Sequence, residues 1–133
     1  MLLHLKNEPV LEQRPHVFVR PRNLEMAKEL GQWSHITLVD GMVIPKFDIE
    51  NLVEWNRVLP PSLKLMPTLE SAYTFDMVAI RELRQALQKD FRPTLCLRIG
   101  GNDLMNCLGL RRAPEHTIYQ TPIGQLIASL CGQ

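Results

Sequence analysis

Leu63-Lys64-Leu65-Met66-Pro67, leaving through Thr68-Leu69-Glu70-Ser71, is the stretch whose reading decides the fold. It is a short, apolar, β-rich run of strand length. Behind it, Phe75, Val78, Ala79, Leu83 and Leu87 fall at i, i+3, i+4, i+8 and i+12, which is one face of a helix. Arg81, Arg84, Gln85 and Gln88 occupy the other face, as a solvated helix surface should. The unit is a strand followed by an amphipathic helix.

The same unit recurs on either side. Three more β-rich runs are His16-Val17-Phe18-Val19-Arg20, Gly41-Met42-Val43-Ile44-Pro45 and Thr94-Leu95-Cys96-Leu97-Arg98-Ile99. Helical spacing returns in Ile123, Leu126, Ile127 and Leu130, and shorter helices are expected over Asn23–Leu30 and Ile49–Arg57. Asn23 and Asp48 suit the N-cap positions of those two, because their side chains accept from free first-turn amides. Strands alternating with helices imply right-handed crossovers and a parallel sheet.

The expected fold class is therefore α/β. Strand starts near 16, 40, 64 and 94 match the rhythm of βα units in a (β/α)₈ barrel, where about 250 residues make eight units. Four units fit in residues 1–133, so the chain reads as one partial TIM-type barrel domain or as an open doubly wound domain. A half barrel exposes two sheet edges unless another chain covers them. A piece of a longer enzyme, one half of an assembly and a remnant without activity are all compatible with that pattern.

Composition narrows the partners. A length of 133 residues is one domain's worth on a prior of roughly 100–200. Fifteen Lys+Arg against fourteen Asp+Glu leave a formal charge of +1, which provides no basic field for phosphate backbones. Nucleic-acid binding is disfavoured. The 45% hydrophobic share is that of a globular chain. Cys96, Cys107 and Cys131 are odd in number and lack metal-type spacing, which reads as three free thiols in a reducing compartment. The stretch Met1–Val10 holds His4, Lys6, Asn7 and Glu8, so it forms no apolar leader core, and no run approaches the ~20 apolar residues of a membrane helix. A cytoplasmic location is expected.

Parallel strands share one C-terminal edge, and α/β proteins build their sites there. The exits in this chain are Arg20-Pro21-Arg22-Asn23, Pro45-Lys46, Pro67-Thr68-Leu69-Glu70-Ser71 and Arg98-Ile99-Gly100-Gly101-Asn102-Asp103. Glu70 and Asp103, on adjacent strand ends, suit one Mg²⁺, which takes one or two carboxylates and fills its remaining positions with water and substrate. Equally, Asp103 suits a cap for a Leu104–Leu108 turn, and Glu70 a helix N-terminus. Arg20 matches a carboxylate with two prongs, whereas Arg22 reads as solvated. Lys46 suits a Schiff-base amine only if desolvated, and ranks below metal catalysis. Gly100-Gly101 permits a tight turn and close backbone approach to a ligand. His16 begins a strand at the wrong end, His35 and His116 fall in loops, and Ser71 has no readable His partner.

Four segments together resemble the HpcH/HpaI aldolase and citrate lyase β-subunit family. They are Val17-Phe18-Val19-Arg20, Val43-Ile44-Pro45-Lys46, Met66-Pro67-Thr68-Leu69-Glu70-Ser71-Ala72 and Gly100-Gly101-Asn102-Asp103-Leu104. Their order matches the third to sixth βα units of that family, over residues 15 to 130. The resemblance implies a phosphoenolpyruvate/pyruvate-type TIM barrel performing Mg²⁺-dependent C–C cleavage or formation on 2-oxo acids, hydroxy acids or acyl-CoA esters. It implies that Glu70 and Asp103 ligate the metal and that Arg20 meets the substrate carboxylate and the enolate, with Gly100 and Gly101, read above as a close backbone approach, expected to bind the same substrate. Asn102 stands where the citrate-lyase branch commonly has Glu, and the family's first two and last two units have no counterpart. The partners expected are a small 2-oxo acid or CoA ester, with a second copy or a complementing barrel half. The alternative is a non-catalytic half-barrel binding or interaction domain.

Overall fold

The run from Lys64 to Leu69 forms the central strand of a four-stranded parallel sheet. The computed structural model describes residues 14–90 and 94–132. The leader reading of Met1–Val10 falls outside them. Strands β1 (Phe18–Val19), β2 (Gly41–Ile44), β3 (Lys64–Leu69) and β4 (Arg98–Ile99) lie side by side in chain order. The register sets Phe18 opposite Gly41, Met42 opposite Leu65, and Thr68 opposite Arg98.

The strands differ in length from expectation for physical reasons. β3 does not stop at Pro67 but passes through it, with Ile44 opposite and both side chains fully buried. β1 and β4 shrink to two residues each because a ladder supports them on one side only. Thr94 keeps a single bridge to Leu65.

Helices α1 (Leu24–Gly31), α2 (Leu52–Val58), α3 (Met77–Asp90), α4 (Gly101–Cys107) and α5 (Pro122–Cys131) fill the connections and follow the strands. Asn23 caps α1 as expected, its Oδ1 accepting from the Met26 amide at 2.9 Å. Asp48 does not cap α2. Its Oδ1 instead accepts from the amides of Glu50 and Asn51, both at 3.1 Å, and this local turn delays the helix to Leu52. Asp76 plays the capping part for α3, accepting from Val78 and Ala79 at 2.8 and 3.3 Å. That start rotates the helix relative to the expected face. Val78 is exposed, and Ile80 joins Leu83 in the core.

α4 replaces the expected Leu104–Leu108 turn. It starts at Gly101 with Gly100 in the cap position, so Asp103 lies inside the first turn and caps nothing. A carboxylate there still favours the helix through the macrodipole. Ile123 of α5 packs with Leu104 and Met105 of α4 in a second, smaller cluster, with Leu126 and Ile127 against it.

The main core lies between the sheet and its helices. Met42, Ile44, Leu65 and Leu69 pack against Ala27, Trp55, Ile80 and Leu83 in one cluster. Strand side chains alternate between faces, so this cluster occupies one face, and the intervening residues Val43, Met66, Thr68 and Glu70 belong to the other. Helices from successive units thus cover a single face of a sheet ordered 1-2-3-4. A doubly wound sheet carries helices on both faces and reverses its order. The architecture is that of consecutive βα units of a TIM-type barrel.

The N-terminal edge is tied by Asp40. Its carboxylate receives both prongs of Arg14 at 2.8 and 2.9 Å and the Val17 amide at 2.7 Å, with His16 Nδ1 at 3.4 Å. Partial burial pushes this acid upward, but the hydrogen bonds from Arg14 and Val17 outweigh it and hold the pKa down at about 2. His16 therefore sits at the edge opposite the candidate site, in agreement with its position in the sequence. Among the described residues no helix is long and apolar enough to cross a membrane. Cys96, Cys107 and Cys131 are exposed free thiols.

Candidate functional site

Glu70 is the centre of the C-terminal edge. It follows β3 directly, and its side chain is only 4% exposed. Burying a carboxylate is costly unless it is paired and hydrogen-bonded, and Glu70 is both. Its Oε1 accepts from Arg20 Nη2 at 3.1 Å and from the Lys46 backbone amide at 2.8 Å. Its Oε2 takes no hydrogen bond from any described residue. The exits of β1, β2 and β3 thus meet at one carboxylate oxygen and leave the other open.

Lys46 contributes through its main chain. Its φ of +47 is the left-handed conformation that side chains rarely adopt. Three bonds hold it there. The Lys46 amide donates to Glu70, its carbonyl accepts from Asn51 Nδ2 at 2.7 Å, and the next amide, Phe47, donates to the Thr68 carbonyl at 3.0 Å. Phe47, 1% exposed, anchors the return. The Lys46 side chain is exposed, so the dry surroundings a Schiff-base lysine needs are not present around it.

Gly100 closes the fourth side. Its amide donates to the Leu69 carbonyl at 2.9 Å, and a Cβ built on it would fall 2.7 Å from Glu70 Oε2 and closer still to Glu70 Cβ. Only glycine lets β4 leave the sheet so near the carboxylate. Gly101 opens α4, and a Cβ built on it would fall 2.7 Å from Ile118 Cδ1. Asp103 is exposed on the first turn of α4, without hydrogen bond or ion pair among the described residues. Arg22 is exposed, as expected of a solvated cation.

A divalent cation fits this donor set. Glu70 Oε2 at the end of β3 and the Asp103 carboxylate on the first turn of α4 are hard oxygen donors, and neither is taken by a protein donor among the described residues. Among the described residues no group of three or more His, Cys, Asp or Glu forms a cage. Two carboxylates suit Mg²⁺, which keeps waters and substrate oxygens in its shell.

Sequence reasoning passed over three features. Thr68 Oγ1 and Ser71 Oγ, flanking Glu70, are buried without a hydrogen-bond partner among the described residues. Asn51 braces Lys46, although nothing in its local sequence says so. Tyr73 donates its hydroxyl to Glu50 at 2.6 Å and ties together the loops that follow β3 and β2. That hydrogen bond, with the Glu50 charge behind it, raises the phenol above its ordinary 10.0.

A singly wound βα sheet with a buried acid, an arginine and a close glycine at its C-terminal edge is the arrangement of a TIM-type barrel, whose sites lie at that edge. The family described as "C-C_Bond_Lyase of the TIM-Barrel fold" matches residues 1–133, and the chain belongs to that family of carbon–carbon bond lyases. No curated protein and no solved structure matches it.

Proposed function

We propose that the chain supplies the metal-binding wall of a Mg²⁺-dependent lyase or aldolase of the HpcH/HpaI and citrate lyase β-subunit kind. Its substrate is a 2-oxo acid, a hydroxy acid or an acyl-CoA ester. The observation that carries this reading is Glu70, buried and held through Oε1 while Oε2 is left without a donor among the described residues.

Each residue has a part that follows from its position. Glu70 and Asp103 would hold the cation. Bound there, Mg²⁺ supplies positive charge for the oxygen that becomes negative as the carbon–carbon bond breaks. Arg20, half exposed and with one Nη2 on Glu70, keeps its other N–H groups for the substrate carboxylate. It adds a preorganised charge where negative charge develops. The Lys46 amide and Gly100 fix the direction of Glu70, so that the acid need not reorganise. The open edges at β1 and β4 are covered by a complementing barrel half, in the same polypeptide or a second copy, in a cytoplasmic enzyme.

Metal-dependent cleavage of a 2-oxo acid tests this. Cleavage should stop with EDTA, return with Mg²⁺, and disappear in Asp103→Asn. Turnover that survives complete metal removal from folded protein contradicts the proposal.

A further inference from the structure

The direction of Glu70 depends on a main-chain turn, and one side chain spans that turn. Arg20 reaches Oε1 at 3.1 Å from a half-exposed side chain, whereas the Lys46 amide reaches it at 2.8 Å. The amide is the firmer of the two donors, and it points at Glu70 only while Lys46 keeps its left-handed φ of +47. Asn51 braces the loop that fixes this φ from both sides. Its Nδ2 donates to the Lys46 carbonyl at 2.7 Å, and its Oδ1 accepts from the Asp48 amide at 3.2 Å. Asn51 also occupies the N-cap position of α2, where such a side chain ordinarily accepts from the first helical amides, yet it makes no such bond. The carboxamide forgoes the cap and folds back onto the loop. That loop is itself tied to the exit of β3 at two points. The Phe47 amide donates to the Thr68 carbonyl at 3.0 Å, and Glu50 accepts from the Tyr73 hydroxyl at 2.6 Å.

We infer that Asn51 is a positioning residue for the cation site, setting through the Lys46 amide the direction in which Glu70 presents Oε2. This inference rests on the proposed metal-binding role of Glu70 and adds a residue from another loop on which that role depends. A ligand that must swing into place on binding loses affinity, and partners that orient a metal ligand commonly carry about 10–100-fold of it. Asn51 acts one bond further out than the Lys46 amide, which sets its share at the low end of that range. Its chemistry is specific: a carboxamide donates and accepts at once, a carboxylate only accepts, and leucine does neither. The dependence also has a signature. Glycine adopts the left-handed conformation without a steric penalty, so Lys46→Gly keeps the donating amide and removes the need for a brace.

Calorimetric titration of the full chain with Mg²⁺ in the presence of oxalate tests it, with urea unfolding of each variant alongside. Asn51→Leu should weaken Mg²⁺ binding about tenfold. Adding Lys46→Gly to that variant should recover most of the loss. A merely structural Asn51 would lower the urea midpoint and leave the Mg²⁺ affinity of the folded protein where it was. Binding by Asn51→Leu within about twofold of the unaltered chain overturns the inference, as does a loss that Lys46→Gly leaves whole. Should Asn51→Leu fail to fold, Asn51→Asp decides. That variant still accepts from the Asp48 amide and still suits the N-cap of α2, but it cannot donate to the Lys46 carbonyl. Its added negative charge favours a cation, so weaker binding reports the lost donation, and unchanged or tighter binding overturns the inference. Absence of Mg²⁺-oxalate binding by the unaltered chain would sink the metal site itself, an outcome distinct from binding that ignores Asn51.

Discussion

Gly100→Ala perturbs the site with a single methyl group. The added carbon would lie 2.7 Å from Glu70 Oε2 and 3.3 Å from Glu70 Cα, and nearer still to Glu70 Cβ. The side-chain carboxylate could swing aside, but Cα and Cβ are fixed to β3, so relief requires the exit of β4 to move away. Overpacking of this kind costs about 1–3 kcal/mol. If Glu70 is displaced, its bonds to the Lys46 amide and Arg20, at 2.8 and 3.1 Å, weaken as well. A hydrogen bond to a charged group contributes about 1.5–3 kcal/mol, and the half-exposed Arg20 adds little. The expected total is about 2–4 kcal/mol in urea unfolding, with loss of Mg²⁺-oxalate binding. Gly109→Ala is the control. Its φ of +67 strains any side chain, but nothing lies within 4 Å of the added carbon, so about 1–2 kcal/mol and no effect on binding are expected. A Gly100→Ala variant within 0.5 kcal/mol of the unaltered chain that still binds oxalate would refute the packing account of Glu70.

Other perturbations follow from the same contacts. Asp40→Asn should cost about 1 kcal/mol at pH 7: a shift from 3.8 to about 2 amounts to about 2 kcal/mol in full, and solvent screens part of it. Because the folded pKa lies below the unfolded one, this stability is present above about pH 5 and fades as pH falls from about 5 towards 2. Chemical denaturation across that range should show the gap between the two proteins closing, and a gap constant down to pH 2 would exclude the Arg14–Asp40 tie as its origin. Lys46→Gly should stabilise by about 0.5–1 kcal/mol, the left-handed strain relieved less the extra freedom of glycine in the unfolded chain, and Lys46→Ala should not. Equal urea midpoints for the two variants would contradict a strained Lys46. Leu65→Ala, at a fully buried position in the central strand, should cost about 2–5 kcal/mol in the same assay.

The fold was legible because its signal is repetitive. Short apolar runs such as Gly41-Met42-Val43-Ile44-Pro45 and Leu63-Lys64-Leu65-Met66-Pro67, each followed by helix-spaced apolar residues, form a pattern that tertiary context has little reason to override. Element boundaries were less legible where polar side chains choose between cap and turn. Asp48 closes a local turn and Asp76 caps α3, and the one-letter context of the two acids does not distinguish them. That choice also rotated α3 and exchanged Val78 for Ile80 in the core.

Site residues divide along the same line. Arg20, Lys46, Glu70 and Gly100 lie at strand exits, and parallel topology alone brings strand exits together. What topology cannot give is the atom that acts. The Lys46 amide, rather than its amine, reaches Glu70, because a bond from Asn51 and the anchor of Phe47 hold a backbone turn that no local motif encodes.

A thermal melt with Mg²⁺ and oxalate, a mimic of the pyruvate enolate, tests the central claim most directly. A ligand that binds only the native state at 100 times its Kd stabilises by about 2.7 kcal/mol, which a melt resolves. A cooperative transition raised by metal and oxalate together, and not in Glu70→Gln, is the predicted result. A cooperative transition that ignores both, or one raised equally in Glu70→Gln, would contradict a metal-binding site at the C-terminal edge of this sheet.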